Sequence, residues 1–318
     1  MYCILTLFAL ATLSCNVFSD DPPKQYWREW YLFRNFDGST SSSLCPYLAK
    51  YAGLIPGTAD SNQKILLNQS YVVRSMNLDG TENKCIIPDI SNVTKLSHDR
   101  TKMLLIFDRS LYLANVDGSG QRLIPIEIEV NYTIFPTFSA DDRFVYYAIN
   151  TQTEDSSISK IIRYDIGTGS SEDIISRSAV RSTKIDWSVS YQDSIYYSYW
   201  EGNQKSLICR NMNSGEETEI YSGTVSNLVC SYPTNQLLFL NADTTELMSY
   251  HFDNHQIVCI SQNNGSHLTI SYLQDKIFTG NKIINLSTDE VTEWSGDKIF
   301  LDFSLDGTKI LSHDRKAE

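Results

Sequence analysis

From Trp30 onward the chain reads as short apolar runs separated by polar turns. Ile195, Tyr197 and Tyr199 alternate with Tyr196, Ser198 and Trp200, the two-residue period of a strand whose side chains point to opposite faces. The runs are rich in β-branched and aromatic residues and close on Asp-Gly, Gly-Ser or Asn-Ser turns. No window of a dozen residues carries the spacing of an amphipathic helix. The pattern predicts an all-β chain.

One unit recurs: an apolar strand ending in Ser or Thr, a polar turn often holding Asp, then a second apolar strand. It stands out in KLSHDRTKMLLIF (95–107), PTFSADDRFVYYA (136–148), TISYLQDKIFTG (269–280) and LDFSLDGTKILS (301–312). The anchoring residues are Thr58, Ser97, Ser139, Ser190, Ser231, Ser271 and Ser304, spaced 33 to 51 residues apart. A third strand, a turn and a fourth strand complete the unit, as in YVVRSMNLDGTENKCII (71–87) and SLYLANVDGSGQRLI (110–124). Four short strands recurring at about forty residues are the signature of a β-propeller blade. Seven anchors predict seven four-stranded blades, and the two uneven spacings leave six open.

The two ends complement each other. FLDFSLDGTKILSHD (300–314) supplies the first two strands of a unit, whereas WYLFRNFDGS (30–39) begins on a third strand. Pairing them in one shared blade closes the ring and leaves no open sheet edge there. Residues 20–318 are therefore read as a single propeller domain.

MNLDGTENKCII (76–87) and SLYLANVDGSGQRLI (110–124) resemble the second halves of low-density-lipoprotein-receptor class B repeats, with NFDGS (35–39) a fainter copy. FSADDRFVYYA (138–148) and FSLDGTKIL (303–311) are similar to the Ser-x-Asp-Gly units of TolB-like propellers. These resemblances imply a propeller fold and a habit of binding through a propeller face, with no catalytic residues carried over.

Ahead of the repeats, Ile4 to Leu13 forms an apolar core too short to span a bilayer and of signal-peptide length. With cleavage after Ser19, residues 1–19 are read as a signal peptide and the remainder as a secreted protein without a membrane span. That leaves Cys45, Cys85, Cys209, Cys230 and Cys259, an odd set from which one disulfide at most is expected. Asn68, Asn92, Asn131, Asn264 and Asn285 head glycosylation sequons, Asn68 in an expected link between second and third strands. The formal charge of −12, from 26 Lys+Arg against 38 Asp+Glu, denies the chain a footprint for nucleic acid.

The sequence carries no GxSxG elbow, HExxH, P-loop or GxGxxG. His98 and His313 each sit in a Ser-His-Asp-Arg run, where strand neighbours point apart and form no relay. His251 and His255 straddle a turn, which does not bring two imidazoles onto one metal. Calcium is conceivable at the repeated acidic turn residues Asp60, Asp99, Asp141, Asp142, Asp193 and Asp306. They fall in different blades, however, and such an Asp ordinarily accepts bonds from its own turn. No cofactor is expected. The leading expectation is a non-enzymatic binding module that uses a propeller face for an extracellular protein, peptide or cationic ligand. Trp200 would be the apolar anchor of that face, rimmed by Glu154, Asp155, Glu201, Asp243 and Glu246. The alternatives are a structural or matrix component, and a hydrolase or lactonase whose channel-mouth site is assembled from Asp, Glu and His of several blades.

Overall fold

In the computed structural model, the described residues lie between 30 and 314, except 36–39, 46–49, 58–62, 70–71, 78–81, 83, 88–91, 108–109, 127–131, 153–155, 180–182, 263–267, 272 and 294–297. The leader, Glu154 and Asp155, and the sequon residues Asn131 and Asn264 lie outside them. The described residues form seven four-stranded antiparallel sheets, so the count is seven rather than six.

Blade I holds β3 (Lys50–Ile55), β4 (Lys64–Gln69), β5 (Val72–Asn77) and β6 (Lys84–Ile87). Blade II holds β7 (Asn92–Leu96), β8 (Lys102–Phe107), β9 (Ser110–Asn115) and β10 (Arg122–Ile124). Blade III holds β11 (Tyr132–Phe138), β12 (Phe144–Gln152), β13 (Ser157–Asp165) and β14 (Ser171–Ala179). Blade IV holds β15 (Thr183–Tyr191), β16 (Ser194–Glu201), β17 (Gln204–Asn211) and β18 (Glu217–Ser222). Blade V holds β19 (Val225–Ser231), β20 (Gln236–Asn241), β21 (Glu246–His251) and β22 (Ile257–Ser261). Blade VI holds β23 (Leu268–Ile270), β24 (Lys276–Thr279), β25 (Lys282–Asn285) and β26 (Val291–Glu293). The uneven repeat spacings have a plain cause: blade III runs nine-residue strands, whereas blade VI runs strands of three or four.

Blade VII is composite. β1 (Trp30–Asn35) pairs β2 (Thr40–Cys45) on one side and β28 (Lys309–Asp314) on the other, and β28 pairs β27 (Lys298–Phe303). Six consecutive pairs, from Trp30 with Asp314 to Asn35 with Lys309, hold the two ends of the chain together.

The core lies between blades. Val145, Tyr147 and Ile149 of β12 pack with Leu104, Leu111 and Leu113 of blade II. Tyr146 and Ala148, the intervening residues, pack with Ile185, Ile195 and Tyr197 of blade IV. Each second strand is thus covered on both faces, which is why β20 reads QLLFLN and is buried throughout. The sheets twist right-handedly and stack face to face around an axis, so apolar contact continues from blade to blade.

The turns between first and second strands, called here the mouth turns, stitch neighbouring blades at the axis. In three anchor units the Ser hydroxyl bonds the turn Asp two residues on: Ser97 to Asp99 at 2.7 Å, Ser139 to Asp141 at 2.7 Å and Ser304 to Asp306 at 2.5 Å. These Asp residues also accept backbone N–H groups of Thr101, Arg143 and Thr308, the role expected of turn carboxylates. Three residues after the anchor the backbone turns left-handed, with φ of 58° at Arg100, 55° at Asp142, 58° at Gln274 and 67° at Gly307. Non-glycine residues pay about 1 kcal/mol or more for that conformation. At three of these positions the residue bonds the preceding blade. Asp142 accepts from the backbone N–H groups of His98 and Asp99, Gln274 accepts from Tyr232 N–H at 3.1 Å, and Arg100 donates to the Leu54 carbonyl at 3.2 Å.

Two expectations are corrected. Cys85, Cys209, Cys230 and Cys259 are free thiols, so no disulfide forms among the described residues. The reason is geometric: they sit in three different sheets, the two that share blade V lie on its innermost and outermost strands, and Cys209 and Cys230 instead fill space in the apolar layer between blades IV and V. Asn68 is not in a link but in β4, opposite Lys50 and Val73. Of the other sequon residues, Asn92 opens β7 and Asn285 ends β25, its Oδ1 accepting from Ser287 N–H at 3.0 Å.

Candidate active site at the channel mouth

The seven innermost strands surround an axial channel that widens beneath the mouth turns into a cavity of about 270 Å³. Most of its wall is apolar or weakly polar, including Phe138, Val189, Leu228 and Ile270. Charge enters at four points: Lys95, His98 and Arg100 of blade II and Asp302 of blade VII.

Backbone irregularity puts two of these there. β7 slips register against β8 between Val93 and Lys95, a bulge at Thr94. Val93 and Leu96 consequently share the apolar layer against blade I although three residues apart, and Lys95 is turned to the channel. Without the extra residue, simple alternation would set Lys95 on the side of Val93, in the core. β27 does the same between Phe300 and Asp302, leaving Phe303 in the core and Asp302 on the channel wall.

Asp302 is buried, accepts from Phe303 N–H at 2.8 Å, and stands 3.7 Å from Arg100 Nη1. The reach of Arg100 passes over Gly53. A Cβ on that glycine would meet Leu96 Cδ1 at 2.6 Å and Arg100 Nη1 at 3.2 Å, so only glycine leaves the guanidinium its path. Lys95 is exposed to the channel, whose wall surrounds it. That enclosure, and then the like charge of Arg100, holds its ammonium below the ordinary lysine pKa.

His98 stands at the rim. Its Nδ1 lies 2.9 Å from Asp142 Oδ1, and the same oxygen accepts the His98 backbone N–H at 2.9 Å. Two bonds to one carboxylate from an adjacent blade fix both the backbone and the ring. The edge of the imidazole meets Tyr232 at 5.9 Å between centroids, nearly perpendicular. Tyr232 is itself pinned through its hydroxyl to the Ser190 carbonyl at 2.8 Å. Burial, and then the nearby Cys230, drives the Tyr232 phenol well above its usual range, and burial drives the Cys230 thiol up too. Neither is a ready anion at neutral pH, so Cys230 is an inert wall residue rather than a nucleophile.

Among the described residues no three His, Cys, Asp or Glu side chains gather as a metal-ligand set. His255, one of the paired histidines of the turn in blade V, instead has its Nδ1 2.6 Å from the Tyr250 hydroxyl.

The residues picked from sequence for ligand binding stand elsewhere. Trp200 and Glu201 end β16, and Asp243 and Glu246 flank the link from β20 to β21, both on the face opposite the mouth turns. Trp200 is half-buried, with the ammonium groups of Lys205 at 4.4 Å and Lys184 at 5.6 Å from its ring. Glu201 accepts the Tyr199 hydroxyl at 2.9 Å and Glu246 accepts the Thr244 hydroxyl at 2.7 Å. His98 and Asp142 were legible as residues but not as a pair, because they are 44 positions apart and His98 adjoins Asp99 in sequence. The recurrence of an acidic turn in most units was the one signal that could have joined them.

No protein-family model matches the chain, and no curated protein is detectably similar in sequence. Solved structures are similar in fold. An oligogalacturonate lyase in complex with manganese has a TM-score of 0.60 at 8% identity over 84% of this chain and 96% of that one. A puromycin-hydrolyzing peptidase of Mycobacterium tuberculosis has 0.62 at 10% identity over 86% of this chain, which spans 52% of the peptidase. TolB from Acinetobacter baumannii has 0.46 at 14% identity, over 82% and 78%. The fold itself bears out the propeller reading of the Ser-x-Asp turns. The expectation of a non-enzymatic binding module is corrected on this finding: the solved structures that share the fold are named as a lyase and a puromycin-hydrolyzing peptidase, which accords better with the hydrolase alternative.

Proposed function

We propose that the protein is a hydrolase acting on a small ester or lactone at the channel mouth. The observation that carries this reading is the His98–Asp142 pair, 2.9 Å apart and drawn from two blades, at the rim of a cavity that also holds Lys95 and Arg100. A carboxylate on Nδ1 sets the imidazole tautomer and leaves Nε2 as the basic nitrogen. His98 then takes a proton from a water that attacks the substrate carbonyl. The carbonyl carbon gains the water oxygen, the ester C–O bond breaks, and the proton passes from His98 to the leaving alkoxide. Lys95 and Arg100 make the cavity beside His98 positive, a field that favours the developing oxyanion. Asp142 holds the ring in place throughout and faces the charge that develops on it.

Secretion after removal of residues 1–19, with glycans on the sequon asparagines, completes the proposal; it is supported by the apolar leader. The experiment is turnover on a panel of carboxylate-bearing and neutral esters and lactones, comparing wild type with His98→Gln. The proposal expects hydrolysis that His98→Gln lowers by about 10²–10⁴-fold in kcat/KM. Absence of turnover across the panel, or equal turnover by the variant, would overturn it.

A further inference from the structure

The channel is positively charged inside a strongly acidic protein. Lys95, Arg100 and Asp302 line one cavity, with Asp302 already 3.7 Å from Arg100. Lys95 has no ion-pair partner among the described residues, and the cavity wall offers no second carboxylate. The formal charge of −12 would make a free cation in this setting unremarkable on the outside of the protein, but here the surplus lies on the axis. A cation on a channel wall with no counter-charge beside it offers an anion a charge-assisted contact that nothing else on the wall already uses.

We infer that the substrate of this site carries a negative charge, a small carboxylate for which Lys95 is the counter-ion. The inference rests on the reading of the channel mouth as the site of reaction, and it reverses the cationic ligand expected from the acidic links. Three observations converge on it. The bulge at Thr94 is what carries Lys95 out of the core and onto the cavity wall. The Arg100 guanidinium is spoken for by the Leu54 carbonyl and Asp302, which leaves Lys95 as the charge available to a ligand. Other polar residues of the cavity wall, among them Thr94, Thr137, Ser190 and Thr269, offer hydroxyl donors rather than further acids. The lowered pKa of Lys95 agrees with this, because an arriving carboxylate would restore the ammonium form.

Glutarate, with putrescine as its cationic counterpart, provides the test by isothermal titration calorimetry on the full chain. Wild type is expected to bind glutarate and not putrescine. Lys95→Met should weaken glutarate by roughly tenfold or more, the loss of one charge-assisted contact, while Lys95→Arg stays within a few-fold of wild type. Should Lys95→Met fold poorly, wild type decides the matter: limiting acetic anhydride should acetylate Lys95, and saturating glutarate should protect it. Glutarate affinity unaffected by Lys95→Met, preference for putrescine, or no protection of Lys95 would overturn the inference. Glutarate binding without ester turnover would sink the hydrolase reading alone, whereas turnover of neutral esters without glutarate binding would sink this inference alone.

Discussion

At the residue scale, the mouth turns depend on side chains that do double duty. Desolvation works to raise the pKa of Asp99 and Asp141, but the Ser97 and Ser139 hydroxyls and the turn N–H groups outweigh it and hold both low. For Asp306 the Ser304 hydroxyl is the leading cause of a lowered value. A depressed folded pKa contributes stability that is fully present above the unfolded value of about 4 and is lost as pH falls through the folded one. The midpoint of thermal unfolding should therefore hold steady from about pH 7 to 5 and drop below about pH 4. A midpoint indifferent to acid over that range would show that the turns do not rely on these carboxylates. Gly53 is a second test at this scale. Gly53→Ala places a methyl 2.6 Å from Leu96 Cδ1 at a φ of 154°, and should cost about 1–3 kcal/mol in denaturant unfolding. Because Arg100 must also give way, the variant should bind glutarate more weakly than its stability loss alone explains. Unchanged stability would mean the strand yields freely at that point.

At the level of elements, the regular strands were legible and the irregular ones were not. The alternation of Ile195, Tyr197 and Tyr199 with Tyr196 and Ser198 places the first set against blade III and Tyr196 against blade V, as a two-residue period requires. A bulge has no such periodic signature. Thr94 and Lys95 look like any polar pair in a strand, and only the register of β7 against β8 shows that one residue is extra. Deleting Thr94 restores plain alternation, drives Lys95 toward the core, and should cost more than about 3 kcal/mol or prevent folding. Thr94→Ser, which keeps the residue and its hydroxyl bond to the Leu104 carbonyl, should unfold nearly as wild type does. Equal stability of the deletion would mean that the bulge is not what positions Lys95. The buried Phe239 of β20 tests the layers between blades: Phe239→Ala should cost about 3–5 kcal/mol by urea titration, and a loss under 1 kcal/mol would mean the layer collapses around the gap.

On the scale of the whole molecule, closure was readable because the half-units at the two ends are complementary, and β1 does pair β28 over six residues. The site was not readable, because it is a product of closure and curvature. Asp142 reaches His98 across a blade boundary, and Asp302 reaches Arg100 past blade I, so neither pair has a sequence spacing to recognise. Removing residues 298–318 takes away β27 and β28, leaves β1 and β2 as a two-stranded remnant, and deprives the channel of Asp302. Such a chain should lose cooperative thermal unfolding, and retention of the wild-type transition would show that the ring does not need its seventh blade.

The central claim is that His98, held by Asp142 of the next blade, is the base of a hydrolytic site. Its most direct test is kcat/KM of Asp142→Asn on the best substrate of the ester and lactone panel. Asn keeps the shape and can still accept the His98 backbone N–H, so the fold should lose no more than about 0.5–1.5 kcal/mol for the weakened contact with Asp99 N–H. Without the carboxylate the imidazole loses its fixed tautomer and counter-charge, and the account predicts a fall of about 10²–10⁴-fold in kcat/KM at neutral pH. Turnover equal to wild type in a folded Asp142→Asn protein would contradict it.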